Sequence, residues 1–521
     1  MKDKSYRLSE GERAAAVEST EVGLESRSLN DPPERKRAIY GAFEARDARF
    51  DGKVYAAISS TGVYCRPVCP YHAKIENVTF FATPAEAESA GYRPCLVCRP
   101  ETAPGLSVAD ARKSLARRAA SAIQEECTAG DGLERLATRL GYTDRHVRRV
   151  FLDEYGVTPM QYLTSCRLRL AKGMLADTDL PISRVASASG FKSTRRFNDA
   201  FKANYGLTPG EQRRLAKSRG GGACGEGSAM RLRLGYRPPL RFGELLAFFR
   251  ERALDGVESV SEASYARTAR IPLPDGREAH GWIRVEDDPV HRSLVLSMSE
   301  SLLPATSIVV ARVRRMFDLD CDPEVVHEAL SALEGVRPGA NALGTRLPGC
   351  FDPFETCCRA VLGQQVSVAA ANRMASRVAK EFGPKIDTGI EGLERAWPSP
   401  SEVLTLGDVG DALGPLGIIR SRSEAIAGIA RMIESGELRF DALANAVEQM
   451  DVLLAVKGIG PWTANYIAMR AYSHPDAFLE KDSGVAHALP DFTLKERLAA
   501  VEPCRPWRSY AVICLWNSLG Q

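Results

Sequence analysis

The 521-residue chain contains no uninterrupted apolar run approaching the ~20 residues of a membrane span, which excludes an integral helical membrane protein. It also lacks the apolar stretch of a secretory signal. Met1 to Arg35 is instead dense in charge and reads as a flexible leader on a cytoplasmic protein. An excess of either charge is lacking, and a net +3 is too small to argue globally for a polyanionic partner, so local distribution must carry that case. The 13 cysteines are odd in number and mostly scattered along a chain without a signal, which argues against a disulfide framework. Four of them need another explanation. What is present is the balance of a soluble globular protein, 44% hydrophobic and 26% charged, in a chain too long for one ordinary core.

One linker stands out. Ser218 to Met230 contains Gly220, Gly221, Gly222, Gly225 and Gly227, a composition too entropic to fold alone, and it divides the chain into two halves expected to act independently. The expected organisation is a leader over 1–34, a cysteine-bearing module over 35–104, a helical segment over 105–217 and the linker over 218–228. Beyond it come a small sheet domain over 229–303 and a helical body over 304–521. Alternating runs such as Met230-Arg231-Leu232-Arg233-Leu234 and Ser293-Leu294-Val295-Leu296-Ser297 read as the strands of that sheet.

Three residues lie between Cys65 and Cys69, two between Cys95 and Cys98, and 25 between the pairs. Two short loops can therefore converge four thiolates on one tetrahedral zinc ion. A zinc that only stabilises the fold is the competing reading. The segment Thr61-Gly62-Val63-Tyr64-Cys65-Arg66-Pro67-Val68-Cys69, with Gly91-Tyr92-Arg93-Pro94-Cys95-Leu96-Val97-Cys98, resembles the N-terminal domain of the Ada adaptive-response regulators. That resemblance implies that Cys65 takes a methyl group irreversibly from a DNA methylphosphotriester and that Arg66 lies at the DNA. Zinc would hold the sulfur as the nucleophilic thiolate. Four thiolates on a dication carry −2 in all, and methylating one leaves −1, which should weaken repulsion of DNA phosphate.

The helical segment contains an internal duplication. Gly141-Tyr142, Phe151 and Tyr155-Gly156-Val157-Thr158-Pro159 recur as Gly190-Phe191, Phe201 and Tyr205-Gly206-Leu207-Thr208-Pro209. Each copy reads as a helix-turn-helix, the first presenting Arg145, Arg148 and Arg149 and the second Lys192, Arg195 and Arg196 on its recognition helix. Two readers on one chain can engage successive major grooves without dimerisation, so a monomer is expected. A solvated basic face on a helical hairpin is the plainer account of either copy alone. The pair resembles the AraC-type DNA-binding domain, which implies promoter binding and contact with RNA polymerase.

The C-terminal half carries Leu453-Leu454-Ala455-Val456-Lys457-Gly458-Ile459-Gly460-Pro461-Trp462-Thr463-Ala464, a helix end, a Gly-x-Gly turn and a new helix. Gly458 and Gly460 let backbone amides approach a phosphate at the helix start, and Thr463 lies beside them. Phe478-Leu479-Glu480-Lys481-Asp482 follows. Hairpin, Gly-Pro and acid together form the pattern of the HhH-GPD glycosylases, and Leu362-Gly363-Gln364-Gln365-Val366-Ser367 with Pro506-Trp507-Arg508-Ser509-Tyr510 resembles the AlkA type, DNA-3-methyladenine glycosylase II.

The resemblance implies base flipping, aromatic binding of a cationic purine by Trp462, Tyr466 and Trp516, and catalysis by Asp482. Core aromatics and a helix N-cap are the plainer roles for these residues. Gln364 and Gln365 fall in the base-contacting loop, with Gln365 where the family has an apolar wedge. Trp462 occupies the place of the Schiff-base lysine of backbone-cutting relatives, so a monofunctional enzyme using water is expected. Neither an iron–sulfur cysteine cluster nor the Pro-Cys-His-Arg motif of full-length Ada is found, and neither function is expected.

The expected fold is thus multidomain, mostly α with α+β parts. It comprises a zinc-binding α+β module, a tandem AraC-type helix-turn-helix, a small antiparallel sheet domain and an all-α helix-hairpin-helix glycosylase body. The expected partners are damaged and promoter double-stranded DNA. The competing account is a transcription activator whose C-terminal half only holds DNA; a zinc-dependent structural DNA-binding protein with neither activity is the third.

Overall fold

The computed structural model describes residues 29–520 except 32, 47–50, 52–53, 71–72, 96, 99, 101–107, 129–132, 219–228, 274–275 and 442. Most of the expected leader and all of the linker but Ser218 lie outside the described residues. No helix among the described residues is long and apolar enough to cross a membrane. The described residues form two compact units, one within 29–119 and 140–158, the other within 120–139 and 159–520.

The first unit is built on a four-stranded sheet of β1 (Tyr55–Ile58), β2 (Val63–Cys65), β3 (Val78–Phe81) and β4 (Arg93–Pro94), in the order β3-β1-β2-β4. β1 runs antiparallel to β2 and β3, and β2 runs parallel to β4. Because the central strand is covered on both faces, its sequence Tyr-Ala-Ala-Ile is apolar throughout rather than alternating. Ala56, Ile58 and Phe80 pack with Phe43 of the helix Pro33–Glu44, while Tyr55, Ala57 and Tyr64 pack with Ala87 on the other side. Asn30, inside the stretch read as leader, donates to the Phe80 carbonyl (2.8 Å) and accepts from its N–H (2.9 Å), so this residue is tied to β3.

The duplication is visible in the backbone. The helices Asp144–Tyr155 and Thr194–Tyr205 have 12 residues each, begin on a hydroxyl cap (Thr143, Ser193) and end on a left-handed glycine (Gly156, Gly206).

In the second unit, β5 (Ala229–Gly235), β6 (Glu258–Val260), β7 (Ser264–Pro272), β8 (Glu278–Asp288) and β9 (Ser293–Ser299) form an antiparallel sheet in the order β5-β9-β8-β7-β6. Alternation places Met230, Leu232 and Leu234 of β5 on the buried face. This face does not close on the sheet domain alone. Its core is continuous with Leu168, Met174 and Leu175 of the helix Pro159–Asp177 and with Phe197 and Phe201 of the second recognition helix.

Polar contacts follow the same seam. Asp177 accepts from the Arg233 N–H (3.1 Å) and guanidinium (3.2 Å), Arg315 donates twice to Glu125 (2.9 Å each), and Thr128 and Ser307 share a hydrogen bond of 2.7 Å. The expected independence of the halves is therefore corrected: the second helix-turn-helix is docked on the sheet domain. A sequence reading misses this because the apolar residues of β5 and of the helix Pro159–Asp177 look like ordinary internal cores of separate domains.

The helical body holds two further cores, one around Phe354, Val361, Ile426 and Ile467, the other around Leu347, Phe478, Leu479 and Ile513. Beside the second, Asp318 accepts from Tyr510 Oη (2.7 Å) and Leu347 N (3.1 Å) in a left-handed backbone (φ 51°). Burial pushes its carboxyl up to about 6.

Two outcomes are expected. Proteolytic cutting at a site engineered among Gly220 to Gly227 should leave pieces that co-elute on gel filtration; separate elution would contradict the shared core. For Asp318, the ionised form is disfavoured in the fold, so stability is lost as pH rises from about 4 through about 6. Thermal unfolding of Asp318→Asn should therefore show a gain of about 1–3 kcal/mol at pH 8 that vanishes near pH 4.

Candidate active site and zinc centre

In the first unit, β2 delivers Cys65 at its end, and the turn after it brings Cys69, whose N–H bonds to Arg66 O (3.0 Å). The parallel strand β4 ends beside Cys95, whose N–H bonds to Tyr64 O (3.1 Å). The sulfurs of Cys65, Cys69, Cys95 and Cys98 all lie within 4.8 Å of one another, and all four residues are buried. Hydrogen bonding with Cys69 and Cys98, then burial, pushes the Cys65 thiol up, a penalty that a shared dication removes by drawing off the protons. The donor set fits tetrahedral zinc.

Arg66 requires a correction. Expected at the DNA, it is 1% exposed, ion-paired with Asp51, and its N–H donates to Cys98 Sγ (3.4 Å), because the residue between two ligand turns is drawn beneath them. Cys65, the expected methyl acceptor, is itself buried.

The basic residues expected on the recognition helices are at the surface. Arg145, Arg148 and Arg149 are exposed, with Arg148 bonded to Asp144 (2.7 Å). Lys192, Arg195 and Arg196 are exposed around the Ser193 cap.

The second unit contains a cavity of about 750 Å³ where its three cores approach one another. Asp482 stands in its wall as the N-cap of the helix Ser483–Ala488, with Oδ1 accepting from Val485 N at 2.9 Å. The same oxygen accepts from Trp516 Nε1 (2.8 Å), and Oδ2 accepts from Trp462 Nε1 (3.2 Å). Three N–H donors thus fix one carboxylate. Trp462 stacks on Tyr466 (5.2 Å between centroids, 11° between planes), and Trp516 stacks on Phe248 (6.3 Å, 14°). The aromatic, carboxylate and cap roles coexist on one wall.

Two residues near the hairpin need correcting. Gln364, expected at the base, instead donates to Gly458 O (2.9 Å) and Thr463 Oγ1 (3.0 Å), bracing the hairpin against its neighbouring loop. Thr463, expected at DNA, is buried by that contact. Gly458 has φ 93°, so a side chain there would be strained, and Gly460 caps the helix Pro461–Ala471 with its N-terminal amides open. Gln365 is exposed with φ 55°, an unfavourable backbone for a residue with a side chain, held at the rim beside Val366, which lines the cavity. Lys457 is 92% exposed on the outer side of the hairpin.

Sequence reasoning missed Phe248, Arg252, Arg470 and Gly484, all of which line the cavity. Phe248 comes from a helix of the sheet domain and carries no local motif. Gly484 is required by contact: a Cβ there would lie 2.7 Å from the Trp516 indole, so only glycine lets that ring reach Asp482. A Gly two residues after a candidate acid was the available signal.

Comparison with known proteins matches three family descriptions in order: the metal-binding domain of Ada over residues 38–101, a helix-turn-helix domain over 136–215 and the AlkA N-terminal domain over 231–352. A Mycobacterium tuberculosis protein named probable bifunctional transcriptional activator/DNA repair enzyme AlkA is 35% identical over 486 residues, covering 92% of this chain and 96% of that one. The chain belongs to this bifunctional activator and repair family. Within the AlkA-like half, the Escherichia coli DNA-3-methyladenine glycosylase 2 is 34% identical, covering 55% of this chain and 97% of that enzyme. Within the Ada-like half, the Escherichia coli bifunctional transcriptional activator/DNA repair enzyme Ada is 32% identical over 165 residues, covering 32% of this chain and 45% of that protein. The family combines regulation with DNA repair, DNA is its partner, and the four cysteines are its zinc site.

Metal analysis of the purified chain should find one zinc per molecule, and Cys98→Ser should lower this below half. Full occupancy in the variant would contradict a four-thiolate centre.

Proposed function

We propose that the C-terminal half is a monofunctional DNA glycosylase that hydrolyses the N-glycosidic bond of alkylated purines of the 3-methyladenine type. The observation that carries this reading is Asp482, fixed by Trp462 and Trp516 in the wall of an aromatic cavity large enough for a nucleobase. A purine inside a duplex is out of reach, so the nucleotide must be flipped into the cavity, with Gln365 and Val366 at the rim to fill the gap. A methylated purine is cationic and already a good leaving group; ring faces hold it by stacking and cation–π attraction. As the bond to the sugar breaks, positive charge grows on C1′. Asp482 stabilises it and orients the attacking water.

The sensor reading rests on the cysteine cluster. Cys65 Sγ attacks the methyl carbon of a phosphotriester, the S–C bond forms, and the O–C bond breaks to leave a phosphodiester anion. Bound zinc supplies the charge that keeps the sulfurs ionised. Loss of one negative charge at the cluster favours DNA, and the exposed arginines of the two recognition helices, with Lys192 just before the second, supply promoter contacts. RNA polymerase contact, a monomeric state and a cytoplasmic location complete the reading.

Single-turnover release of 3-methyladenine from methylated duplex DNA tests the excision reading. Asn can retain the cap acceptor, so Asp482→Asn should fold yet release base at least about 100-fold more slowly. Release at the wild-type rate would remove Asp482 from the mechanism, and no release by the wild type would favour a half that only holds DNA.

A further inference from the structure

We propose that Glu125, which lies on the regulator side of the glycine linker, is a positioning residue for base excision: through Arg315 it holds the stretch 348–351 of the cavity wall, against which the Asp482 site is braced. This rests on the glycosylase reading above and adds a residue contributed from outside the AlkA-like half.

The pair is a fixed contact. Glu125 ends the helix Val108–Glu125 and accepts from Arg315 Nη1 and Nη2 at 2.9 Å each, a two-pronged geometry that restricts both side chains. The Glu125 side chain is 13% exposed, and among the described residues no other carboxylate lies within ion-pairing distance of Arg315. Three residues on, Thr128 shares its hydrogen bond with Ser307, so the helix Thr306–Met316 is gripped near both of its ends. Other contacts of the seam lead elsewhere. Asp177 bonds to Arg233 on the edge strand β5, which contributes nothing to the cavity lining.

From Arg315 the constraint reaches the cavity through backbone. The helix ends at Met316, whose carbonyl accepts from Gly349 N (2.9 Å). A Cβ at position 349 would lie 2.5 Å from the Arg315 carbonyl oxygen and 3.0 Å from Met316 Cα, so the two backbones meet with no side chain between them to take up a shift. Arg312, one turn earlier on the helix, donates to Phe351 O (3.2 Å). Met316, Gly349, Cys350 and Phe351 all line the cavity.

The wall then braces the catalytic carboxylate. The carbonyls of Pro348 and Gly349 accept from the Arg470 guanidinium (2.6 and 2.9 Å), which also donates to Tyr466 Oη (2.8 Å). Tyr466 stacks on Trp462, and Trp462 donates to Asp482. Neutralising Glu125 leaves the partly buried Arg315 without its anion and unfastens the helix end that Gly349 rests on. A misplacement of about 1 Å at the reacting groups is enough to slow chemistry up to about 100-fold.

Single-turnover release of 3-methyladenine from methylated duplex DNA, measured with the full chain over a range of enzyme concentrations, separates the saturating rate from the half-saturating concentration. Glu125→Gln should lower the saturating rate about 10-fold and keep the half-saturating concentration within about twofold of wild type. Arg315→Met should do the same, and the double variant should be no slower than either single one, because both substitutions remove one link. Asp177→Asn, which loosens the seam without touching the wall at 348–351, should excise at the wild-type rate. A wild-type rate for Glu125→Gln, additive losses in the double variant, a change confined to the half-saturating concentration, or equal slowing by Asp177→Asn would overturn the proposal. No release by the wild type would instead overturn the glycosylase reading.

Discussion

Everything at the C-terminal site depends on one carboxylate being held still against an aromatic wall. Asp482 accepts from two indole N–H groups and a helix amide, and these donors come from three separate places in the chain. A free aspartate would reorient between solvent and protein; here each rotation would abandon a donor. Fixing the acceptor also fixes the rings, since the indoles are positioned by the bonds they give. Binding surface and charge are therefore built by the same contacts, which is how a site avoids reorganising as positive charge develops.

The wall needs support from behind. Arg267, Glu258, Glu355 and Arg359 form a buried ion network between β6, β7 and the helix Pro353–Leu362, with Tyr265 Oη donating to Glu258 at 2.5 Å. Burial alone would push Glu355 up, but the two guanidinium groups outweigh it and hold the carboxyl below its usual value. Such a network contributes little net stability relative to apolar packing, while removing one member costs about 3–5 kcal/mol because a buried charge is orphaned. Its value is registry. Phe248 and Arg252 come from the sheet domain and Trp462 and Tyr466 from the helical body, so the cavity has its shape only when the two are locked in one alignment.

Legibility in the sequence followed distance along the chain. Asp482, Trp462 and Tyr466 lie within about one helical hairpin, where spacing and local chemistry carry information, and the cysteine spacing placed four sulfurs together. Short-range reasoning also misled. Gln364 and Thr463 look like surface contacts because they flank the hairpin loops, yet they bond to each other. Arg66 looks like a phosphate ligand because it is basic and beside a reactive cysteine, yet Asp51 draws it inward. Phe248, Arg252 and Arg470 were invisible because nothing local distinguishes a cavity-lining aromatic or arginine from a structural one. The docking of the second helix-turn-helix was hidden for a similar reason: apolar periodicity reports that a face is covered, not what covers it.

That docking has a mechanical consequence. The second recognition helix and the base cavity belong to one body, so a torque applied to either is carried to the other through the shared core rather than lost in a tether.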